Sequence, residues 1–101
     1  MLGVTQSGET AETIKALEYA KSMGAKTISV TEKNISQASI ISDVNVNIGC
    51  GPEYAVASTK TFTATVLTLY ITAIYLSKNI SNKKGLENNI LGLDSRIESL
   101  L

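Results

Sequence analysis

The sequence predicts an α/β domain built on a parallel sheet, and three features point there. Residues 2–4 and 27–30 form two compact apolar or β-branched runs, and the segment between them carries its apolar residues at helical spacing. A strand, a helix and a second strand in that order make a crossover unit with parallel strands, right-handed in almost all proteins. A third run, residues 44–48, alternates strictly between Val or Ile and Asn, as a strand does when one face alone is covered or when it lies at a sheet edge.

Residues 2–4 read as the end of a buried strand. Over residues 9–23, Ile14, Leu17, Ala20 and Met23 share one side of a helix while Glu12, Lys15, Glu18 and Lys21 take the other, and Gly24 is placed to cap its C-terminus. Asn34 and Gln37 have the spacing of a capping box for a short helix carrying Ile35, Ala38, Ile40 and Ile41. Asp43 then leads into the alternating strand, and Gly49, Cys50, Gly51 and Pro52 turn the chain. A long helix is expected over residues 59–78. Its apolar side chains, among them Phe62, Val66, Leu69, Tyr70 and Ile74, surround much of its circumference, so more than one partner must cover it. After a polar break at residues 81–85, Ile90, Leu93, Ile97 and Leu100 mark a final amphipathic helix.

With 101 residues and 44% hydrophobic content, the chain has material for one domain with one core. Nine basic and nine acidic residues cancel without forming a run, so there is no electrostatic footprint for nucleic acid or an anionic membrane, and any anion site must be local. The single cysteine, Cys50, excludes an internal disulfide framework and a cysteine-rich zinc site, and it fits a reducing compartment. The absence of histidine excludes a Ser-His-Asp triad and a histidine metal site within this chain. No metal and no cofactor are expected. Residues 61–77 are free of charge, but they fall short of the roughly 20 apolar residues a membrane span needs and carry five threonines; a buried helix of a soluble domain is the reading. Nothing at the N-terminus resembles a secretory signal, so the expected compartment is the cytoplasm.

The segment Thr5-Gln6-Ser7-Gly8-Glu9-Thr10 follows the first strand and opens the first helix. Four of its side chains donate hydrogen bonds, Gly8 permits close approach or a positive φ, and the helix would aim free N–H groups at the same spot. A phosphate cradle and an ordinary helix cap by Ser7 use the same N–H groups. The position favours a ligand, because open parallel sheets bind ligands at the carboxyl ends of their strands. No Lys-Ser or Lys-Thr follows at Walker A distance, so a nucleoside triphosphate is not implied. Gly49-Cys50-Gly51 fails as a dinucleotide fingerprint, since Tyr54 stands at the third glycine position and no later strand with an acidic residue follows. Val56-Ala57-Ser58-Thr59-Lys60 is a second hydroxyl-bearing junction, with Ser58 either a helix cap or one side of a crevice shared with the first loop. Together the two junctions suggest a sugar phosphate.

The first motif, followed by Gly-Pro-Glu-Tyr-Ala-Val-Ala-Ser-Thr-Lys-Thr-Phe-Thr at residues 51–63, resembles the sugar isomerase (SIS) domain family. Within it, the likeness is to the first SIS domain of the isomerising, glutamine-dependent aminotransferases that convert fructose 6-phosphate to glucosamine 6-phosphate. The resemblance implies a flavodoxin-like, doubly wound three-layer sandwich, here incomplete at the N-terminus, with residues 1–80 as a truncated sugar-phosphate-binding domain and residues 81–101 as a helix leading to a second SIS domain. It also implies that Thr5, Gln6, Ser7 and Thr10 hold the phosphate, and that the Val56 backbone and Ser58 meet the sugar. No catalytic residue is expected in this chain: in such enzymes a second SIS domain supplies the catalytic glutamate and lysine, and a neighbouring subunit a histidine. The partners implied are that second domain, a glutaminase domain and a homodimer mate. Another SIS protein, a phosphosugar deaminase or deglycase or a sugar-phosphate-sensing regulator, shares the motifs.

Overall fold

The computed structural model describes residues 1–54, 58–77 and 81–100. Residues Met1–Thr68 form one compact unit and Leu69–Leu101 a second.

The first unit holds β1 (Leu2–Val4), α1 (Ala11–Ser22), β2 (Ile28–Thr31), α2 (Gln37–Ile41) and β3 (Val44–Asn47), and α3 (Lys60–Leu76) begins in it. The strands form a three-stranded, all-parallel sheet in the order β1-β2-β3, with Gly3 opposite Ser29 and Ser29 opposite Asn45. The chain is therefore an open α/β sheet of flavodoxin-like type. The third strand lies at an edge, as its alternation predicts.

α1 packs on the face carrying Gly3. A Cβ at Gly3 would sit 2.9 Å from a methyl carbon of Leu17, so the missing side chain is what lets the helix approach. Ile14, Leu17 and Ala38 are buried together with Ile41 packed against them, which puts α1 and α2 on the same side of the sheet. The helix ends where Gly24 adopts φ +80° and its N–H bonds the Lys21 carbonyl. Met23 lies beyond the last turn and is exposed, contrary to the apolar stripe read for it. For α2 the cap is one position pair later than Asn34 and Gln37 suggested. Ser36 accepts from the Ser39 N–H at 3.3 Å while the Ser39 hydroxyl accepts from the Ser36 N–H at 2.8 Å, leaving Ile35 outside the helix and exposed.

The polar residues of the strands face the helices. Ser29 donates to Asn45 Oδ1 at 2.8 Å, and the Thr31 hydroxyl lies 3.0 Å from the same oxygen and 2.7 Å from the Lys33 carbonyl, with one proton for the two. Asp43 accepts from the Thr27 N–H and hydroxyl, tying the start of β3 to the start of β2. The opposite face carries Leu2, Val4, Ile28, Val30, Val44 and Val46. Val30 is fully buried there, but Leu2, Val4 and Val44 are exposed, so β1 is not the buried strand expected.

α3 departs from expectation too. Of its residues, Thr61, Thr72 and Ile74 are buried, while Phe62, Val66, Tyr70, Tyr75 and Leu76 are exposed; it is not a buried helix within this chain. Among the described residues, no helix is long and apolar enough to cross a membrane. In the second unit the single amphipathic helix predicted is two, α4 (Lys83–Leu91) and α5 (Leu93–Glu98), divided at Gly92. α4 begins inside the stretch read as a polar break. A groove of about 300 Å³ runs between the end of α3 and α4, lined by Ile71, Ile74, Tyr75, Glu87, Ile90 and Leu91.

Candidate functional site at the carboxyl edge of the sheet

The chain leaves β1 at Val4 and stays tied to β2 for two more residues: the Thr5 N–H bonds the Val30 carbonyl at 3.0 Å, and the Gln6 carbonyl accepts from the Glu32 N–H at 3.1 Å. Beyond that point the backbone must turn sharply to start α1, and Gly8 makes the turn at φ +72°. A side chain there would also collide with Ser36, since its Cβ would fall 2.3 Å from the Ser36 Cβ. The Gly8 carbonyl accepts the Ala38 N–H at 2.9 Å and the Glu9 carboxylate accepts the Gln37 N–H at 3.1 Å, so the loop is bolted to the N-terminus of α2.

This anchoring assigns distinct places to the predicted residues. Thr5 is buried, and its hydroxyl lies 2.7 Å from that of Thr10. Thr10 occupies the N-cap position of α1 without capping it by its side chain, because its hydroxyl faces Thr5 instead. Ser7 Oγ accepts the Glu9 N–H at 3.1 Å. Gln6 and Ser7 line a crevice of about 430 Å³ together with Glu32, Lys33, Pro52 and Glu53. Its walls come from the chain just past all three strands. Ser58 is exposed and is not among the residues lining the crevice, and Val56 lies outside the described residues.

Glu32, Lys33, Glu53 and Thr61 are the members of this neighbourhood that motif reading missed. The signal for the first two was positional, since they directly follow β2 at the same sheet edge as Gln6 and Ser7. Glu32 holds the glycine loop: it accepts the Gly51 N–H at 2.7 Å, the Cys50 N–H at 3.1 Å and the Cys50 thiol at 3.4 Å. Desolvation pushes its carboxyl up, but the Gly51 and Cys50 amides, the thiol and the Gly49 amide outweigh it and hold the group below its usual value. Gly49 and Gly51 both take positive φ, as the turn read from the sequence requires. Glu53 caps the start of α3, the role that was the alternative to sugar contact for Ser58. Its Oε2 accepts the N–H groups of Thr59 and Thr61 at 3.3 and 3.1 Å and the Thr61 hydroxyl at 3.0 Å. The Thr61 amide lowers the Glu53 pKa most, against the opposing effect of desolvation, with the Thr61 hydroxyl, the Thr59 amide and the charge of Lys60 adding to it. Among the described residues no three acidic or cysteine side chains converge to hold a metal ion.

Fold and crevice together define an α/β domain of the open parallel-sheet class, with a crevice at the loops that leave the carboxyl ends of the strands, where such folds bind their ligands. Residues 1–75 match the SIS domain, and the chain belongs to that family. It is 42% identical over 89 residues to the glutamine--fructose-6-phosphate aminotransferase [isomerizing] of Helicobacter pylori, an alignment covering 88% of this chain and 15% of that protein. To the human glutamine--fructose-6-phosphate aminotransferase [isomerizing] 2 it is 41% identical over 93 residues, covering 91% of this chain and 14% of the other. The C-terminal domain of glucosamine-fructose-6-phosphate aminotransferase from Francisella tularensis superposes with a TM-score of 0.75 at 26% identity, over 98% of this chain and 32% of that one. The chain thus spans about one seventh of the length of the two curated relatives.

Proposed function

We propose that this chain is the sugar-phosphate-binding part of the isomerase half of a glutamine:fructose-6-phosphate aminotransferase, holding fructose 6-phosphate and its product glucosamine 6-phosphate. The observation that carries the reading is the crevice itself, bordered by the loop that enters α1 and by the loops after β2 and β3. The N-terminus of α1 lacks a side-chain cap, so its first amides and the positive end of its dipole are free to serve an anion. Ser7, Thr10 and Gln6 supply donors beside it, and Lys33 supplies the crevice with a cation. Glu32 and Glu53 suit the other end of the ligand: carboxylates repel a phosphate but accept hydrogen bonds from sugar hydroxyls. Val56 and Ser58 are proposed to meet the sugar as well.

The chain's own residues bind and orient, while the acid and base groups that move the carbonyl are proposed to come from a second SIS domain reached through residues 81–101, ammonia from a glutaminase domain, and a histidine from a homodimer mate. The setting proposed for this chemistry is the cytoplasm. The chain alone therefore makes no glucosamine 6-phosphate from fructose 6-phosphate and glutamine, and product formation by it would overturn this division of labour. Binding tests the site. Ser7→Ala and Thr10→Ala should each weaken fructose 6-phosphate binding by about 1.5 to 3 kcal/mol, the worth of a hydrogen bond to a charged group. Titration calorimetry showing unchanged affinity in both variants would refute the assignment.

A further inference from the structure

Thr61 is the point at which the loops bordering the crevice meet. It stands in the first turn of α3 and is 3% exposed. Its hydroxyl oxygen lies 3.0 Å from Glu53 Oε2, 3.3 Å from Gln6 Nε2 and 3.8 Å from Cys50 Sγ. An ionised carboxylate only accepts, so the Thr61 proton is committed to Glu53 and the oxygen's remaining capacity is for accepting. The end of the Gln6 carboxamide that faces it must then be the nitrogen, because the carbonyl end would set two acceptors against each other. One buried hydroxyl thus decides which way an exposed glutamine is turned. Glu53 is in turn fixed by the Thr59 and Thr61 amides, so the orientation is inherited from the start of α3.

We propose that Thr61 is a positioning residue of the ligand site: its hydroxyl, polarised by Glu53, holds the Gln6 carboxamide with the second N–H of Nε2 directed to a phosphate oxygen. The proposal rests on the sugar-phosphate reading above. It predicts a loss that passes through Gln6 rather than through the stability of the fold.

The test is calorimetric titration of the full chain with fructose 6-phosphate and, separately, with inorganic phosphate. Thr61→Val, which keeps the shape and removes the hydroxyl, should weaken both about tenfold, in line with losing an oriented donor to a charged group. Thr61→Ser, which keeps the hydroxyl, should stay within about twofold of the parent. In a Gln6→Ala background, Thr61→Val should cost almost nothing more, since interacting residues are not additive. Equal affinity of Thr61→Val and parent, equal losses in the Val and Ser variants, or full additivity with Gln6→Ala would each overturn the proposal. Should Thr61→Val fail to fold, Glu53→Gln carries the same test with inorganic phosphate, which has no sugar hydroxyls for Glu53 to meet, because a carboxamide partner lets the Thr61 proton point either way. A several-fold loss of phosphate binding that vanishes in the Gln6→Ala background supports the proposal, and unchanged phosphate binding or a loss that persists there overturns it. A parent chain that binds neither ligand instead sinks the sugar-phosphate reading on which the proposal stands.

Discussion

Gly8→Ala separates two costs that meet at one position. The first is conformational: at φ +72° an L residue pays roughly 1–2 kcal/mol for the left-handed region. The second is steric. A new Cβ 2.3 Å from the Ser36 Cβ must displace the side chain whose oxygen caps α2, and losing such a cap costs about 0.5–2 kcal/mol. Together they come to about 1.5–4 kcal/mol, a large part of the 5–15 kcal/mol typical of a domain. Urea denaturation followed by circular dichroism measures the total, and the background variant Ser36→Gly divides it. With Ser36→Gly the obstacle and the cap are already gone, so adding Gly8→Ala should cost the conformational part alone, roughly 1–2 kcal/mol. Equal costs of Gly8→Ala in the two backgrounds would refute the collision. A cost below about 0.5 kcal/mol in the parent would refute both components.

Other outcomes follow from single residues. Leu17→Ala, at a position 1% exposed and packed on Gly3, should destabilise by about 2–5 kcal/mol in the same denaturation assay, because the rigid backbone of β1 cannot close the cavity. Glu32, Asp43 and Glu53 all have lowered pKa values: amide bonds overcome desolvation at Glu32, while the Thr27 amide dominates at Asp43 and the Thr61 amide at Glu53. A carboxyl lowered on folding contributes stability above its unfolded value, near pH 4, and loses it as pH falls through the folded one. Urea midpoints should therefore be level from about pH 7 to 5.5 and fall below about pH 4, and a midpoint unchanged at about pH 3 would contradict the assignment. Lys33→Gln should weaken fructose 6-phosphate binding several-fold at low salt and flatten its dependence on ionic strength, as screening of a lost charge requires; an unaltered salt slope in calorimetry would count against Lys33 as the crevice cation.

Much of the frame was legible because it depends on period and punctuation. Ile14 and Leu17 marked the buried side of α1, Gly24 its end, and the alternation of Val44 to Ile48 an edge strand. The failures have local physical causes. Ser36 outcompetes Asn34 as the cap of α2 because it is pinned against Gly8, a contact between residues 28 apart that no local pattern contains. Gly92 breaks one apolar period into two helices, since spacing cannot say whether a glycine is tolerated or divides a helix. Ser7 and Gln6, by their strand-to-helix junction, and Glu32, by its place just after β2, could be assigned to the crevice edge, whereas Glu53 could not, because its use depends on how the chain after β3 folds back. A carboxylate beside amides of its own loop leaves no signature in sequence.

The hydroxyl and amide ladder between β2 and β3 carries information that hydrophobicity would get wrong. Sliding β3 by one residue would turn Val44 and Val46 toward α1 and α2 and Asn45 away from them, a move that greasy patterning by itself rewards. What forbids it is Asn45 Oδ1 receiving the Ser29 hydroxyl, with the Thr31 hydroxyl 3.0 Å away, and Asp43 clasping Thr27 one step earlier. The strand is thus keyed to its neighbour like a tooth in a ratchet, by pairs that fit in one alignment and are orphaned in the next. A valine at position 45 would leave three β-branched residues in a row with no preferred side, and the edge of the sheet would lose its sense of place before it lost its strength.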